Sequence, residues 1–188
     1  MKRLPWHHER NIQQNISLPT CGLNFTGNFG TASSEGGELE MHYAPTSTLS
    51  LTLGAAYNVA KLISTVVGAK GDPLENTPKW MGSASADYHR QFGNAGLGYA
   101  RLDYSTTTHQ YNNFTPASKY YDRAGYSLAN MRVGVKHKGW DTALFIDNAF
   151  NKHAETALPL SYAIDLPTTR RVSLNRPRTI GLEIRLDW

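Results

Sequence analysis

The chain is poor in the features that mark an enzyme, a disulfide-stapled protein or a helical membrane protein. Its 188 residues include one cysteine, Cys21. A single thiol excludes an internal disulfide framework and a cysteine-cluster metal site, and it reads as an ordinary loop residue. No apolar run approaches the ~18 to 20 residues of a spanning helix, in keeping with 40% hydrophobic residues and a mean hydropathy of -0.46. The opening Met1-Lys-Arg-Leu-Pro-Trp-His-His-Glu-Arg10 has basic residues but no apolar segment behind them, so it is not a secretory signal peptide. Catalytic signatures are missing too. There is no Gly-x-Ser-x-Gly elbow and no phosphate loop, and no His-Glu-x-x-His or Cys/His spacing makes a metal site of His7-His8-Glu9. Those three residues read as an exposed polar segment, no cofactor is implied, and the chain is not read as an enzyme.

Charge is also scarce, at 18% of residues with a net +4 and a pI near 9.2. Arg170, Arg171, Arg176 and Arg178 cluster. No nucleic-acid motif accompanies them, so they read as solvated loop and strand-end charge, and nucleic acid is not an expected partner. Asn15-Ile-Ser17, Asn24-Phe-Thr26 and Asn113-Phe-Thr115 match glycosylation sequons, which would carry no message if the protein were bacterial.

What the chain does have is two-residue alternation. At its end Ile180, Leu182, Ile184, Leu186 and Trp188 fall on one side of an extended strand, with Thr179, Gly181, Glu183, Arg185 and Asp187 on the other. The same pattern places Leu49, Leu51, Leu53, Ala55, Tyr57 and Val59 opposite Ser50, Thr52, Gly54, Ala56 and Asn58. That strand matches the ~9 to 11 residues a tilted strand needs to cross a bilayer. Trp80, Gly82, Ala84, Ala86 and Tyr88 form a small-residue strand with a ring at each end, and Tyr57, Trp80 and Tyr88 are expected at a membrane interface. Leu39, Met41 and Tyr43 alternate with Glu38, Glu40 and His42, and Ala129, Met131, Val133 and Val135 with Asn130, Arg132, Gly134 and Lys136. Residues 97 to 108 are strand-like with mixed faces, so their facing is left open; 140 to 150 is also strand-like. Glu38, Glu40 and Asp87 then read as lumen-facing charges, not as a catalytic carboxylate pair.

Connections alternate in length: long at 17 to 30, 61 to 77, 109 to 123 and 152 to 175, and short at 44 to 48, 91 to 95 and 137 to 139. Sorting loops by length onto two ends is the habit of bacterial outer-membrane barrels, with short periplasmic turns and long extracellular loops. The expected fold is therefore all-β, an antiparallel transmembrane β-barrel segment of about eight strands with its C-terminus on the periplasmic side. Residues 1–30 are expected to form a polar N-terminal strand and a long loop, and 31–188 the barrel strands.

Several stretches in this order resemble the C-terminal end of a TonB-dependent outer-membrane receptor. They are Ser34-Glu-Gly-Gly-Glu-Leu-Glu40 followed by Pro45, Pro78-Lys-Trp80, Gly125-Tyr-Ser-Leu-Ala-Asn130, Trp140 with Phe145-Ile-Asp-Asn-Ala-Phe-Asn-Lys152, Arg176-Pro-Arg-Thr-Ile-Gly181, and the terminal aromatic. The resemblance implies a larger 22-stranded barrel filled by an N-terminal plug, importing a scarce ligand such as a ferric siderophore with energy relayed by TonB. It also implies that Asn148 to Lys152 ends the penultimate strand at the extracellular rim. The final strand, Ile180, Leu182, Ile184, Leu186 and Trp188, would be read by the barrel assembly machinery. This chain departs from the pattern in showing no plug, no TonB-contacting box near its start and about eight strands. The expectation is a receptor fragment, from a truncated reading frame or wrong start, that belongs to the bacterial outer membrane without its own export signal and does not transport alone. Its partners would be outer-membrane lipid, the missing plug and barrel strands, the assembly machinery, and TonB only through the absent region. Ligand-binding residues are not identified; Tyr111, Phe114, Tyr120, Tyr121, Arg170 and Arg171 stand in loops that could face a ligand. Two alternatives are a complete eight-stranded outer-membrane barrel acting as anchor or adhesin, and a soluble β-barrel that binds a small apolar ligand.

Overall fold

Alternation without a partner layer governs the architecture. The computed structural model describes residues 2–18, 23–65, 68–112, 122–157 and 172–186. Cys21, Phe114, Tyr120, Tyr121, Arg170, Arg171 and Trp188 lie outside the described residues. The strands are β1 (Lys2–Leu18), β2 (Leu23–Thr46), β3 (Leu49–Thr65), β4 (Trp80–Gln91), β5 (Leu97–Thr107), β6 (Gln110–Tyr111), β7 (Asp122–Arg123), β8 (Tyr126–His137), β9 (Trp140–Asp147), β10 (Glu155–Ala157), β11 (Ser173–Leu174) and β12 (Thr179–Leu186). Eight of them make one antiparallel meander in the order β1-β2-β3-β4-β5-β8-β9-β12. The pairs β6-β7 and β10-β11 are two-stranded ribbons at the long-loop end. The sheet does not close: β1 and β12 are its edges.

Cross-strand register carries each alternating pattern into the next strand. Leu39 opposes Ala55, Leu51 opposes Ala86, and Tyr57 opposes Trp80. Ala86 opposes Leu102, Leu102 opposes Met131, and Met131 opposes Ile146, which opposes Ile180. Since a one-residue slip would turn a whole strand over, this unbroken register builds one continuous apolar face from β2 to β12. It also settles the facing of β5. Ala100, Leu102 and Tyr104 join the apolar face, while Tyr99, Arg101 and Asp103 join the polar one.

Among the described residues no second layer covers that face. Ile180 is 71% exposed, Leu144 63% and Leu182 59%, and among the described residues Leu62 is the one large side chain that is fully buried. A water-soluble sheet has to bury an apolar face against helices or another sheet, and this one does not. No helix among the described residues is long and apolar enough to cross a membrane, which says nothing about strands.

The short turns follow from local chemistry. Thr46 Oγ1 accepts hydrogen bonds from Leu49 N at 3.1 Å and Thr48 N at 3.3 Å, closing the β2-β3 hairpin. Lys138 and Gly139, with φ of 46° and 81°, make the two-residue β8-β9 turn whose left-handed backbone matches strand twist.

One expectation is corrected here. Residues 18 to 30 read as a long loop because of Pro19, Gly22, Gly27, Asn28 and Gly30, yet Leu23–Thr46 is a single strand paired with β1 as far as Leu18 and Leu23. Backbone pairing along the ribbon holds these residues extended despite their loop-like composition. The register shift after Ile12, which opposes Gly30 before Gln13 opposes Asn28, absorbs the irregularity as a bulge at Phe29. β1 and β2 thus belong to the same sheet, and residues 19–22 lie outside the described residues. Two of the other long connections, 109 to 123 and 152 to 175, carry short ribbons.

Candidate functional site

On the polar face the strands that alternate also place charge against charge. Arg101 on β5 is held between two carboxylates. Its Nη1 donates to Asp87 Oδ1 and Oδ2 at 2.9 and 3.1 Å, and its Nη2 and Nε donate to Asp103 Oδ1 and Oδ2 at 2.7 and 2.8 Å. Directly across from Arg101 stands Arg132 on β8. Like charges in opposed positions repel, and Arg132 is drawn the other way: its Nη1 donates to Glu183 Oε2 on β12 at 2.9 Å, while Arg185 Nη2 donates to Glu183 Oε1 at 3.0 Å. Tyr99 donates its hydroxyl to Asp141 Oδ1 at 2.6 Å, and Lys136 lies 3.7 Å from Asp141 Oδ2 and 5.7 Å from the Tyr99 ring centroid. The result is a ladder of ion pairs across β4, β5, β8, β9 and β12. Apart from the buried Asp141 its charged members stand partly open to solvent, so the exposed pairs each contribute little stability, on the order of 0 to 1 kcal/mol. What the ladder does is keep a polar wall neutral and ordered.

Between these charges, rings lie over glycines. A Cβ on Gly181 would stand 2.5 Å from the Phe145 ring, and one on Gly134 2.6 Å from the Tyr99 ring. Phe145 opposes Gly181, and Tyr99 opposes Gly134, so the end of each ring reaches over its cross-strand neighbour.

At the long-loop end, asparagines tie three strands together. Asn148, 4% exposed and with a positive φ of 49°, donates from Nδ2 to Lys152 O at 2.9 Å and to Arg176 O at 3.0 Å, and accepts at Oδ1 from Lys152 N at 2.9 Å. Its own N–H donates to Asn130 Oδ1 of β8 at 2.9 Å. Asn151, at φ 51°, accepts from Arg178 N at 3.0 Å. Asn tolerates left-handed backbone better than other residues with a side chain, and here its amide also substitutes for missing ladder partners. Three of the stretches singled out in the sequence, around Asn130, Asn148 and Arg176, converge on this corner. Nearby, Arg123 Nη1 donates to Thr156 O at 2.9 Å and links β7 to β10, and Tyr111 O accepts from Asn76 N of the β3-β4 loop.

Tyr57 and Trp80 meet at the long-loop end of the apolar face, ring centroids 4.6 Å apart and tilted by 45°. Tyr88, opposite Leu49, marks the short-turn end with Tyr43 and Trp140. From Leu49 to Tyr57 are eight steps, about 26 Å along the strand, and a tilt of roughly 40° makes this about 20 Å of height. Ile180, Leu182, Ile184 and Leu186 sit at the β12 edge, opposite Ile146, Leu144, Thr142 and Trp140. His7 lies 3.8 Å from both Glu9 and Glu35, all three exposed.

Such a wall, apolar on one side, ion-paired on the other and loop-heavy at one end, is matched over residues 8–149 by the family model described as TonB dependent receptor-like, beta-barrel. The chain belongs to that receptor family. Solved structures agree on the fold of the TonB-dependent receptors. The ferric yersiniabactin uptake receptor FyuA of Yersinia pestis superposes with a TM-score of 0.73 at 17% identity, over 87% of this chain and 25% of that one. The ferric-catecholate import receptor Fiu of E. coli K12 gives 0.72 at 15%, over 98% and 24%. The siderophore receptor PiuA of Acinetobacter baumannii gives 0.73 at 16%, over 98% and 25%. No curated protein matches the chain in sequence. The chain thus spans about a quarter of the length of these receptors.

Strand alternation had shown the apolar face in advance, but it did not pair Arg132 with Glu183 or Asn148 with Arg176. The signal for the first was the charge at alternate positions of both strands.

Proposed function

We propose that the chain is the C-terminal wall of a TonB-dependent outer-membrane receptor for energised uptake of a scarce ligand such as a ferric siderophore, and that it does not transport alone. The observation that carries this reading is the uncovered apolar face, continuous over seven strands and backed by an ion-paired polar face, in a sheet with two open edges. In hydrocarbon an unpaired strand edge is prohibitive, so further strands complete the barrel, and a plug with its TonB contact completes the transporter. Tyr57, Trp80 and Tyr88 are membrane-interface residues in this reading. Ile180, Leu182, Ile184 and Leu186 of β12, with Trp188 outside the described residues, are the residues that the assembly machinery reads. A complete eight-stranded anchor would require β1 to pair with β12, and the two strands lie at opposite edges.

The test is to refold the 188-residue chain with and without detergent, and to supply it with an export signal in a TonB-competent host lacking its siderophore receptors. The chain should stay monodisperse only in detergent and should give no ferric-siderophore uptake. A monodisperse monomer in plain buffer would overturn the membrane reading, and TonB-dependent uptake would overturn the claim that the wall does not transport alone.

A further inference from the structure

The two ribbons at the long-loop end are joined by one side chain. Arg123 of β7 is 7% exposed, and its Nη1 donates to Thr156 O of β10 at 2.9 Å. In the β6-β7 ribbon Gln110 opposes Arg123 and Tyr111 opposes Asp122. Gln110 and Arg123 therefore share one face, and Asn112, two residues beyond Gln110, follows on the same side. That face is dry, with Gln110 only 5% exposed. On the other face His109 meets Asp122 and lies edge-on to the Tyr111 ring, with 4.7 Å between centroids.

The dry face is incompletely bonded. Arg123 Nε and both Nδ2 and Oδ1 of Asn112 are buried without a hydrogen-bond partner. Among the described residues Arg123 also has no ion-pair partner for its charge. A buried polar group with no partner carries its full desolvation cost, and folded proteins keep few such groups. Opening the junction to water hydrates these three atoms and breaks one charge-assisted bond, so the docked arrangement is finely balanced. Each ribbon is also tied onward. Asn76 N of the β3-β4 loop donates to Tyr111 O at 2.6 Å, Ala154 N donates to Asn175 Oδ1 at 2.8 Å, and Asn175 N donates to Ala154 O at 3.1 Å.

We propose that Arg123 is a marginal latch between the β6-β7 and β10-β11 ribbons, through which both ribbons and the β3-β4 loop at Asn76 open as one unit. The bond to Thr156 O holds the latch shut, and the unpartnered atoms of Asn112 and Arg123 work against it. Local opening of this kind is a two-state step of low free energy set within a more stable sheet. The latch is a property of the rim and stands whether or not the wall transports.

The experiment is amide hydrogen exchange, read by NMR on the detergent-refolded 188-residue chain, with the amides of Asn76, Ala154 and Asn175 as reporters. Arg123→Gln shortens the side chain and removes its charge, and it should speed exchange at all three by about ten-fold. Protection within the β4-β5 pair should stay at the wild-type level, which shows that the sheet is intact. Asn112→Leu removes two dry polar atoms and no hydrogen bond. It should slow exchange at Ala154 and Asn175, on the other ribbon, by about three-fold or more. Substitutions that merely damaged packing would both speed exchange, and only near their own positions. Exchange at Ala154 and Asn175 left unchanged by Arg123→Gln would overturn the latch. A rise there with Asn76 unaffected would overturn the coupled opening, and exchange that does not slow in Asn112→Leu would overturn the balance on which the proposal depends.

Discussion

Asn148→Ala is the substitution through which the rim can be weighed. It removes two hydrogen bonds to the carbonyls of Lys152 and Arg176 and one from Lys152 N, at 2.9, 3.0 and 2.9 Å, from a residue 4% exposed. At about 1 kcal/mol net per bond the loss is about 3 kcal/mol. Placing Ala at the positive φ of 49° adds about 1 kcal/mol. Water at the rim resolvates part of what is freed, so about 3 kcal/mol is expected in total, roughly a hundredfold in an opening equilibrium. Asn148→Gly loses the same bonds without the backbone penalty and should be milder by about 1 kcal/mol. Urea unfolding of the detergent-refolded chain reads the total, and limited proteolysis between Lys152 and Arg178 shows whether the opening is local. Midpoints equal to wild type for both substitutions, with unchanged cleavage, would refute the role assigned to the corner.

Other outcomes follow from the two faces. Leu182→Arg, at the middle of β12, should destabilise the lipid-inserted wall by about 2 to 4 kcal/mol, measured by unfolding in vesicles, while Glu183→Arg next to it should disturb the Arg132 pairing without that depth-dependent penalty. Gly134→Ala, where an added Cβ would stand 2.7 Å from Thr142 O, presses on backbone and should cost about 1 to 3 kcal/mol, whereas Gly37→Ala, where an added Cβ meets nothing within 4 Å, should stay near wild type in the same assay. Breaking the Tyr57 and Trp80 ring contact by Tyr57→Leu should cost about 0.5 to 1.5 kcal/mol beyond lost area, read as a double-mutant cycle with Trp80→Leu.

The apolar half of the fold was legible because it is local. Each of Leu49 to Tyr57, Trp80 to Tyr88 and Ile180 to Leu186 announces its own face by period-two spacing, and the register merely stacks them. Strand β5 was not legible alone, since Tyr99 on one face and Leu102 on the other give no polarity until β4 and β8 fix their partners. Residues 23 to 30 misled because glycine and asparagine are the usual residues of loops, whereas here backbone pairing with β1 holds them as strand. The asparagine corner and the Arg132-Glu183 pair join residues 28 and 51 positions apart, a separation that no local pattern reports. What the resemblance did single out, the stretches around Asn130, Asn148 and Arg176, turned out to be neighbours that hold the rim together.

The central claim is that one face of this sheet meets hydrocarbon and the other does not. With Cys21 replaced by Ser, single cysteines introduced as Phe145→Cys, Leu144→Cys, Glu183→Cys and Leu182→Cys can carry a polarity-sensitive fluorophore in vesicles whose acyl chains bear bromine quenchers. Quenching should alternate along both strands, strong at 144 and 182 and weak at 145 and 183. Uniform quenching, or alternation in the opposite phase, would contradict the account.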